Sequence, residues 1–181
     1  MKWFLFSIAV FFSFNAYAQQ ARIAVAANFL ATIKAIQPIY ESESGNKLVI
    51  SGSSSGKLYA QIIHGAPFDL FFSADKHYTQ QLIDEGKAQA DSRFVYATGR
   101  LVAWSPTKKI SSEKDIDMKA TKRIAMANPK TAPYGLAAVQ VLQNLNLWQA
   151  AQKKIVKGES VGQAFQFVAT GNSDFGFVAL S

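Results

Sequence analysis

The sequence predicts an α/β protein built on mostly parallel sheets flanked by helices. From Arg22 onward, short apolar runs of strand length alternate with segments whose apolar residues recur at helical spacing. Glycine, proline or serine punctuates most of the junctions. Composition agrees, because 49% of the 181 residues are hydrophobic and only 17% are charged, the balance of a chain that folds around an apolar core.

The first strand is expected over residues 23–27. Phe29, Ile33, Ile36 and Tyr40 then recur at i, i+4, i+7 and i+11, one apolar face of a helix that Gly45 ends. A second strand falls at 48–51, and a short helix at 56–64, with Leu58 and Ile62 on one side, stops at Gly65-Ala66-Pro67. Residues 68–72 make a third strand, after which Asp75 suits the N-cap of the next helix. Three strand–helix steps are complete at Thr98-Gly99, where a fresh series begins, so a lobe boundary is placed there. Strands at 101–104, 123–127, 154–156 and 175–180 follow. Pro133 opens one intervening helix, since its fixed φ suits a first turn, and Ser160 with Gln163 forms a capping pair for another that Gly171-Asn172 closes. A buried parallel strand normally leads into a covering helix, so a continuation beyond residue 181 is expected.

The opening segment has the form of an address. Lys2, the apolar run 3–14 and Ala16-Tyr17-Ala18 match the three regions of a secretory signal, with cleavage expected after Ala18. As a membrane span the run falls short of the about 20 apolar residues that a hydrocarbon core requires. The absence of cysteine excludes a disulfide scaffold, a thiolate zinc site, a cysteine nucleophile and the thiol of a lipid anchor. A soluble, unanchored periplasmic protein is the expectation.

Lys2 is the one charged residue in the first eighteen, so cleavage lowers the formal charge from +7 to +6. The basic residues are scattered instead of forming a stripe, which argues against nucleic acid; a diffuse positive field mildly favours a small anion. His64 and His77 leave little for metal ligation, and no carboxylate pair is visible; Asp69 borders a strand, and Trp104 and Trp148 read as packing aromatics.

Four strand-to-helix junctions carry small or polar residues: Ala27-Asn28, Ser53-Ser54-Ser55-Gly56, Ala132-Pro133-Tyr134 and Ser160-Val161-Gly162. Each helix start presents unpaired N–H groups and the positive end of a dipole, and open α/β sheets gather ligands at the carboxyl ends of their strands. One such start is ordinary capping, but three consecutive hydroxyls and a glycine exceed what a cap needs. Gly52 to Lys57 imitates a phosphate loop, yet the glycines are one residue too close and Leu58 stands where magnesium needs a hydroxyl. Ser54-Ser55-Gly56-Lys57 also satisfies the Ser-x-x-Lys pattern of penicillin-recognising acyl-enzymes, but Ser-Asp-Asn is absent and Lys130-Thr131-Ala132 only approximates Lys-Thr-Gly.

Val25-Ala26-Ala27-Asn28-Phe29, the stretches 52–62 and 65–75, Ala127-Asn128-Pro129-Lys130, Ala132-Pro133-Tyr134-Gly135 and the stretch 166–172 together resemble the periplasmic molybdate-binding proteins of ABC transporters, the ModA type. That resemblance implies a class II periplasmic binding protein fold, two α/β lobes joined by a hinge and closing over one oxyanion. Residues 19–98 would form lobe 1, completed by a later segment, 99–177 lobe 2, and 178–181 the start of a return crossover. The family's ligand-binding positions fall on Asn28, Ser55, Tyr134 and Val161, with Ala27 and Ser54 adjacent. Where the best-known members carry a further tyrosine, this chain has Ala179, so the Tyr134 hydroxyl is a candidate replacement. No cofactor, direct metal-cation ligand or catalytic residue is implied; the metal arrives as molybdate, with tungstate not excluded, and the partner is a membrane permease reading a monomer.

Molybdate is a tetrahedral dianion with no proton to give near neutral pH, so its site should offer donors alone. Each donor to a charged acceptor contributes about 1.5–3 kcal/mol, which makes arginine dispensable. Sulfate would be rejected by size, because a smaller ion leaves some buried donors unpaired. A carrier of sulfate, thiosulfate or phosphate, the acyl-enzyme, and a fragment without a working cleft are the alternatives.

Overall fold

The computed structural model describes residues 19–180, so the expected signal segment and its cleavage point lie outside the described residues. The chain forms two sheets, one on each side of Thr98-Gly99. The first is entirely parallel, in the order β2-β1-β3, with β1 Gln20–Ala26, β2 Lys47–Ser53 and β3 Leu70–Phe72. Its helices are α1 Leu30–Ser44, α2 Ser55–Ile63 and α3 His77–Asp84. The second sheet runs β4-β7-β5-β6, with β4 Leu101–Trp104 antiparallel to β7 Phe175–Ala179, and β5 Ile124–Ala127 parallel to both β7 and β6 Ile155–Gly158. Helices α4 Pro133–Asn144, α5 Trp148–Ala151 and α6 Val161–Ala169 belong to this half.

Strand register is what prepares the site. Ala26 lies opposite Ser53, and the Ala27 N–H extends the ladder to the Ser53 carbonyl at 2.9 Å, so β1 and β2 release Asn28 and Ser54 side by side. In the second sheet Ala127 lies opposite Gly158, and the Asn128 N–H continues to the Gly158 carbonyl at 2.7 Å. The approaches to α4 and α6 are therefore neighbours too. Gly135 lets α4 begin directly on the end of β5, since a Cβ there would lie 2.3 Å from the Ala127 carbonyl oxygen. Behind it, Ile124, Met126, Ala138, Leu142, Ala151, Phe175 and Phe177 form a buried core on which Trp148 packs, and Trp104 stacks on Phe165 at 5.1 Å.

Four details differ from the sequence expectation. The third strand is shorter, because at Asp69 the pairing with β1 becomes a mixed one: its N–H donates to the Arg22 carbonyl at 2.9 Å while its carboxylate accepts from the Arg22 N–H at 2.7 Å. The predicted apolar face of α1 is buried only in its first half; Ile33 is in the core, but Ile36 and Tyr40 are 44% and 40% exposed. There α1 holds the edge strand β2 by polar means, with the Gln37 amide donating to the Leu48 carbonyl at 3.0 Å and Glu41 accepting from the Leu48 N–H at 2.9 Å. That N–H, then the Gln37 amide and the Lys47 ammonium, lower the Glu41 carboxyl to about 2. Asp75 accepts from the Tyr78 N–H at 3.2 Å but from one residue outside the N-cap, which is Lys76. Val178 and Ala179 pair with Val102 and Leu101 within β7, so the return crossover expected to start at residue 178 does not begin there.

Candidate functional site

The first turns of α2, α4 and α6 meet between the two sheets. The Gly56 N–H of α2 donates to the Thr131 carbonyl, just before α4, at 2.8 Å. Ala127, Ala132, Tyr134 and Val161 form a buried cluster on which Ala27 and Ala74 pack from the first half of the chain, and Leu101 and Ala179 from the second. All six positions expected at the site are thus gathered around one seam, although Asn28 and Tyr134 are the two of them that line the open cavity of about 270 Å³ beside it, with Phe29, Ser73, Ala74 and Pro133. Ser54, Ser55 and Val161 are buried, with exposures of 3%, 0% and 5%.

Ser55 is oriented from outside its own helix. Its Oγ accepts from the Ala74 N–H at 2.9 Å, which leaves the hydroxyl proton without an acceptor among the described residues. The N–H groups of Ser55, Tyr134 and Val161 are first-turn donors with no described acceptor either. Two further hydroxyls, Ser54 Oγ and Thr131 Oγ1, are buried without a hydrogen-bond partner among the described residues, one on each side of the seam. Buried polar groups left in this state cost free energy, about 1–3 kcal/mol each. Donors gathered in this way at three helix starts have the chemistry to receive an acceptor-rich, negatively charged group.

Asn28 and Tyr134 complete the donor set. Burial raises the Tyr134 phenol above its ordinary value and outweighs a lowering influence of the neighbouring Asn28 side chain, so the group stays neutral and able to donate. Ala179 packs beside Tyr134 instead of reaching the site with a polar group. Among the described residues no carboxylate lines the cavity. Among the described residues no group of three or more His, Cys, Asp or Glu is placed to hold a metal cation.

Sequence reasoning missed Thr131, which it met only within Lys130-Thr131-Ala132, and Tyr96, whose hydroxyl donates to the Ser73 carbonyl at 3.1 Å while its ring packs on Phe29 at 4.8 Å. A lone threonine before an Ala-Pro pair was the available signal for the first; nothing local points to the second. The expected cap at Ser160 is present, accepting from the Gln163 N–H at 3.3 Å, but Gln163 reaches back to the Glu159 N–H instead of that of Ser160. Ser54, the other half of the Ser-x-x-Lys pattern, has no hydrogen bond to Lys57, whose ammonium pairs with Glu159.

Comparison with known proteins returns the same architecture. Residues 21–181 match the family described as bacterial extracellular solute-binding protein. The molybdate-binding protein ModA of Azotobacter vinelandii is 48% identical over 168 residues, 92% of this chain and 67% of that protein. ModA of Rhodobacter capsulatus is 40% identical over 167 residues, 92% of this chain and 66% of that one. The chain therefore spans about two thirds of the length of these curated relatives. Among solved structures, the Azotobacter vinelandii periplasmic molybdate-binding protein superposes with a TM-score of 0.82 at 42% identity, over 88% of this chain and 71% of that one. The sulfate-binding protein SubI of Mycobacterium tuberculosis shares the fold at 15% identity, with a TM-score of 0.68 over 89% of this chain and 64% of that one.

Proposed function

This chain belongs to the bacterial extracellular solute-binding protein family, and we propose that it captures molybdate, and tungstate with it, between its two lobes and delivers the ion to an ABC-type membrane permease. One observation supports the reading: the starts of α2, α4 and α6 converge on a seam that holds buried N–H and hydroxyl donors without an acceptor among the described residues. Asn28, the Ser55 hydroxyl and the N–H groups of Ser55, Tyr134 and Val161 are assigned to the oxyanion, with Ala27 and Ser54 beside them. The Tyr134 hydroxyl takes the place of the tyrosine that Ala179 replaces. The metal enters and leaves as an oxyanion, and nothing in the assignment requires a cofactor or a chemical step.

Mechanism follows from differential affinity. An open form presents the donors of one lobe, Asn28 and Ser55; the bound ion then makes additional bonds to Tyr134 and Val161 only when the lobes close, so binding shifts the population toward the closed form. A permease that distinguishes the two shapes receives loaded carrier in preference to empty. We place the working protein in the periplasm as a soluble monomer; among the described residues no helix is long and apolar enough to cross a membrane. Calorimetric titration with molybdate, with tungstate and excess sulfate as competitors, is the test. One-to-one binding that tungstate displaces and sulfate does not is the expected result, and a folded protein giving no heat with any of the three ions overturns the reading.

A further inference from the structure

Two carboxylate–ammonium pairs form among the described residues, and one of them crosses between the lobes. Lys57 Nζ lies 2.6 Å from Glu159 Oε2, with the two side chains 42% and 60% exposed at the mouth of the seam. Beside this pair the Tyr78 hydroxyl donates to the Lys130 carbonyl at 3.4 Å and the Gly56 N–H to the Thr131 carbonyl at 2.8 Å. None of Lys57, Tyr78 and Glu159 belongs to the oxyanion donor set. We propose that the Lys57–Glu159 pair is a latch that favours the closed cleft on its own account, and that both are positioning residues for anion retention. The proposal rests on the oxyanion-carrier reading for its consequence, but the latch itself can be tested without an anion.

The placement explains the chemistry. Lys57 is the third residue of α2, whose first residue is Ser55; Glu159 stands just before the Ser160 cap of α6, whose first residue is Val161. Glu159 is tied to α6 through its own N–H, which donates to Gln163 Oε1 at 2.6 Å. A bond between these side chains therefore draws together the two helix starts assigned to the anion. A carboxylate near a dianion is otherwise unfavourable, since like charges repel and the ion loses affinity. Its presence at this mouth is accounted for if the attraction to Lys57 acts on closure, a bond that exists only when the lobes meet.

Glu159→Gln therefore has two opposite signatures. If Glu159 is merely a nearby negative charge, neutralising it removes repulsion and molybdate binds more tightly. If it is a latch, closure is disfavoured and binding weakens, by about two- to fivefold for an exposed pair. Because the chain contains no cysteine, spin labels at Ala35→Cys and Ala150→Cys, both exposed and on opposite lobes, report the lobe separation without background. In the anion-free protein Glu159→Gln and Lys57→Gln should each shift the distance distribution toward longer values; the exchanged pair Lys57→Glu with Glu159→Lys should restore it, and raising the salt concentration should open the wild type but not Glu159→Gln. Gly56→Ala is a second route to the same opening, because a Cβ there would lie 2.8 Å from the Thr131 carbonyl oxygen and 2.5 Å from the Tyr78 hydroxyl. An unchanged anion-free distribution in Glu159→Gln, or tighter molybdate binding by it, overturns the latch. If wild-type protein gives no heat with molybdate, the carrier reading fails while the distance measurements still decide the latch.

Discussion

Replacing Ser55 by alanine separates its two roles. Ser55 Oγ is fully buried and accepts from the Ala74 N–H at 2.9 Å, so its removal leaves a main-chain donor without a partner. That loss costs about 1–3 kcal/mol of folding stability, which at this chain length lowers the melting temperature by about 2–4 °C per kcal/mol. The unpaired hydroxyl proton is a separate quantity: donated to a dianion it contributes about 1.5–3 kcal/mol, so the alanine variant should bind molybdate roughly ten- to a hundredfold more weakly. Ser54→Ala is the internal control, because the Ser54 hydroxyl has no hydrogen-bond partner among the described residues and its removal should leave anion-free stability unchanged or slightly higher. Melting curves and calorimetry on both variants test the argument. A Ser55→Ala protein that melts early yet binds molybdate with wild-type affinity would show that Ser55 supports Ala74 and contacts no anion.

Tyr134→Phe should weaken molybdate binding by roughly tenfold or more if the hydroxyl donates, whereas unchanged affinity would leave only the main-chain N–H of that residue. Because burial raises the phenol's pKa, it stays protonated at neutral pH, and wild-type affinity measured by calorimetry should be flat from about pH 6 to about pH 9. Gly135→Ala should destabilise the second lobe by about 1–3 kcal/mol, since the added methyl meets the Ala127 carbonyl at 2.3 Å; a melting temperature equal to wild type would refute that packing. The Asp174 carboxyl is lowered by the Arg123 and then the Lys122 N–H, both at 2.8 Å. A depressed folded pKa stabilises above the unfolded value and is lost as pH falls, so Asp174→Asn should melt earlier at pH 7 and show a shallower decline between about pH 5 and about pH 3.

Legibility in the sequence follows the range of the interactions. Pro133 announces α4 and Gly45 ends α1 because both act through their own backbone geometry, and the structure has them at those positions. That β1 and β2 end side by side was readable because parallel strands necessarily deliver their carboxyl ends to one edge. What the sequence withheld is pairing across distance. Lys57 and Glu159 are ordinary surface charges until α2 and α6 are brought face to face, and Thr131 matters through its carbonyl, an atom every residue possesses. The exposed second half of α1 is the reverse case: Ile36 and Tyr40 have the right period, but period specifies a face and not what covers it. Contacts made by main-chain atoms and by long side chains between lobes leave no local pattern to read.

The seam also bears on selectivity. At the first turn of α2 the Gly56 main chain already touches the Thr131 carbonyl at 2.8 Å, so further closure is blocked by backbone and not by a side chain that can yield. On the carrier reading, the separation between the donors of the two lobes is therefore set by the protein and not by the ion. An ion smaller than that separation cannot pull Ser55 and Val161 closer, and it leaves one or more of them unpaired in a buried place, at about 1–3 kcal/mol per group. A larger ion keeps the seam apart and forfeits the Gly56–Thr131 bond along with the Lys57–Glu159 contact. Size discrimination between sulfate and molybdate then requires no residue that recognises the central atom; it requires a stop, and Gly56 is placed to provide one. Ligand pairs of nearly equal size, such as molybdate and tungstate, pass such a stop alike, whereas an enlarged Gly56 side chain should narrow the affinity gap between sulfate and molybdate by weakening the ion that depends on full closure.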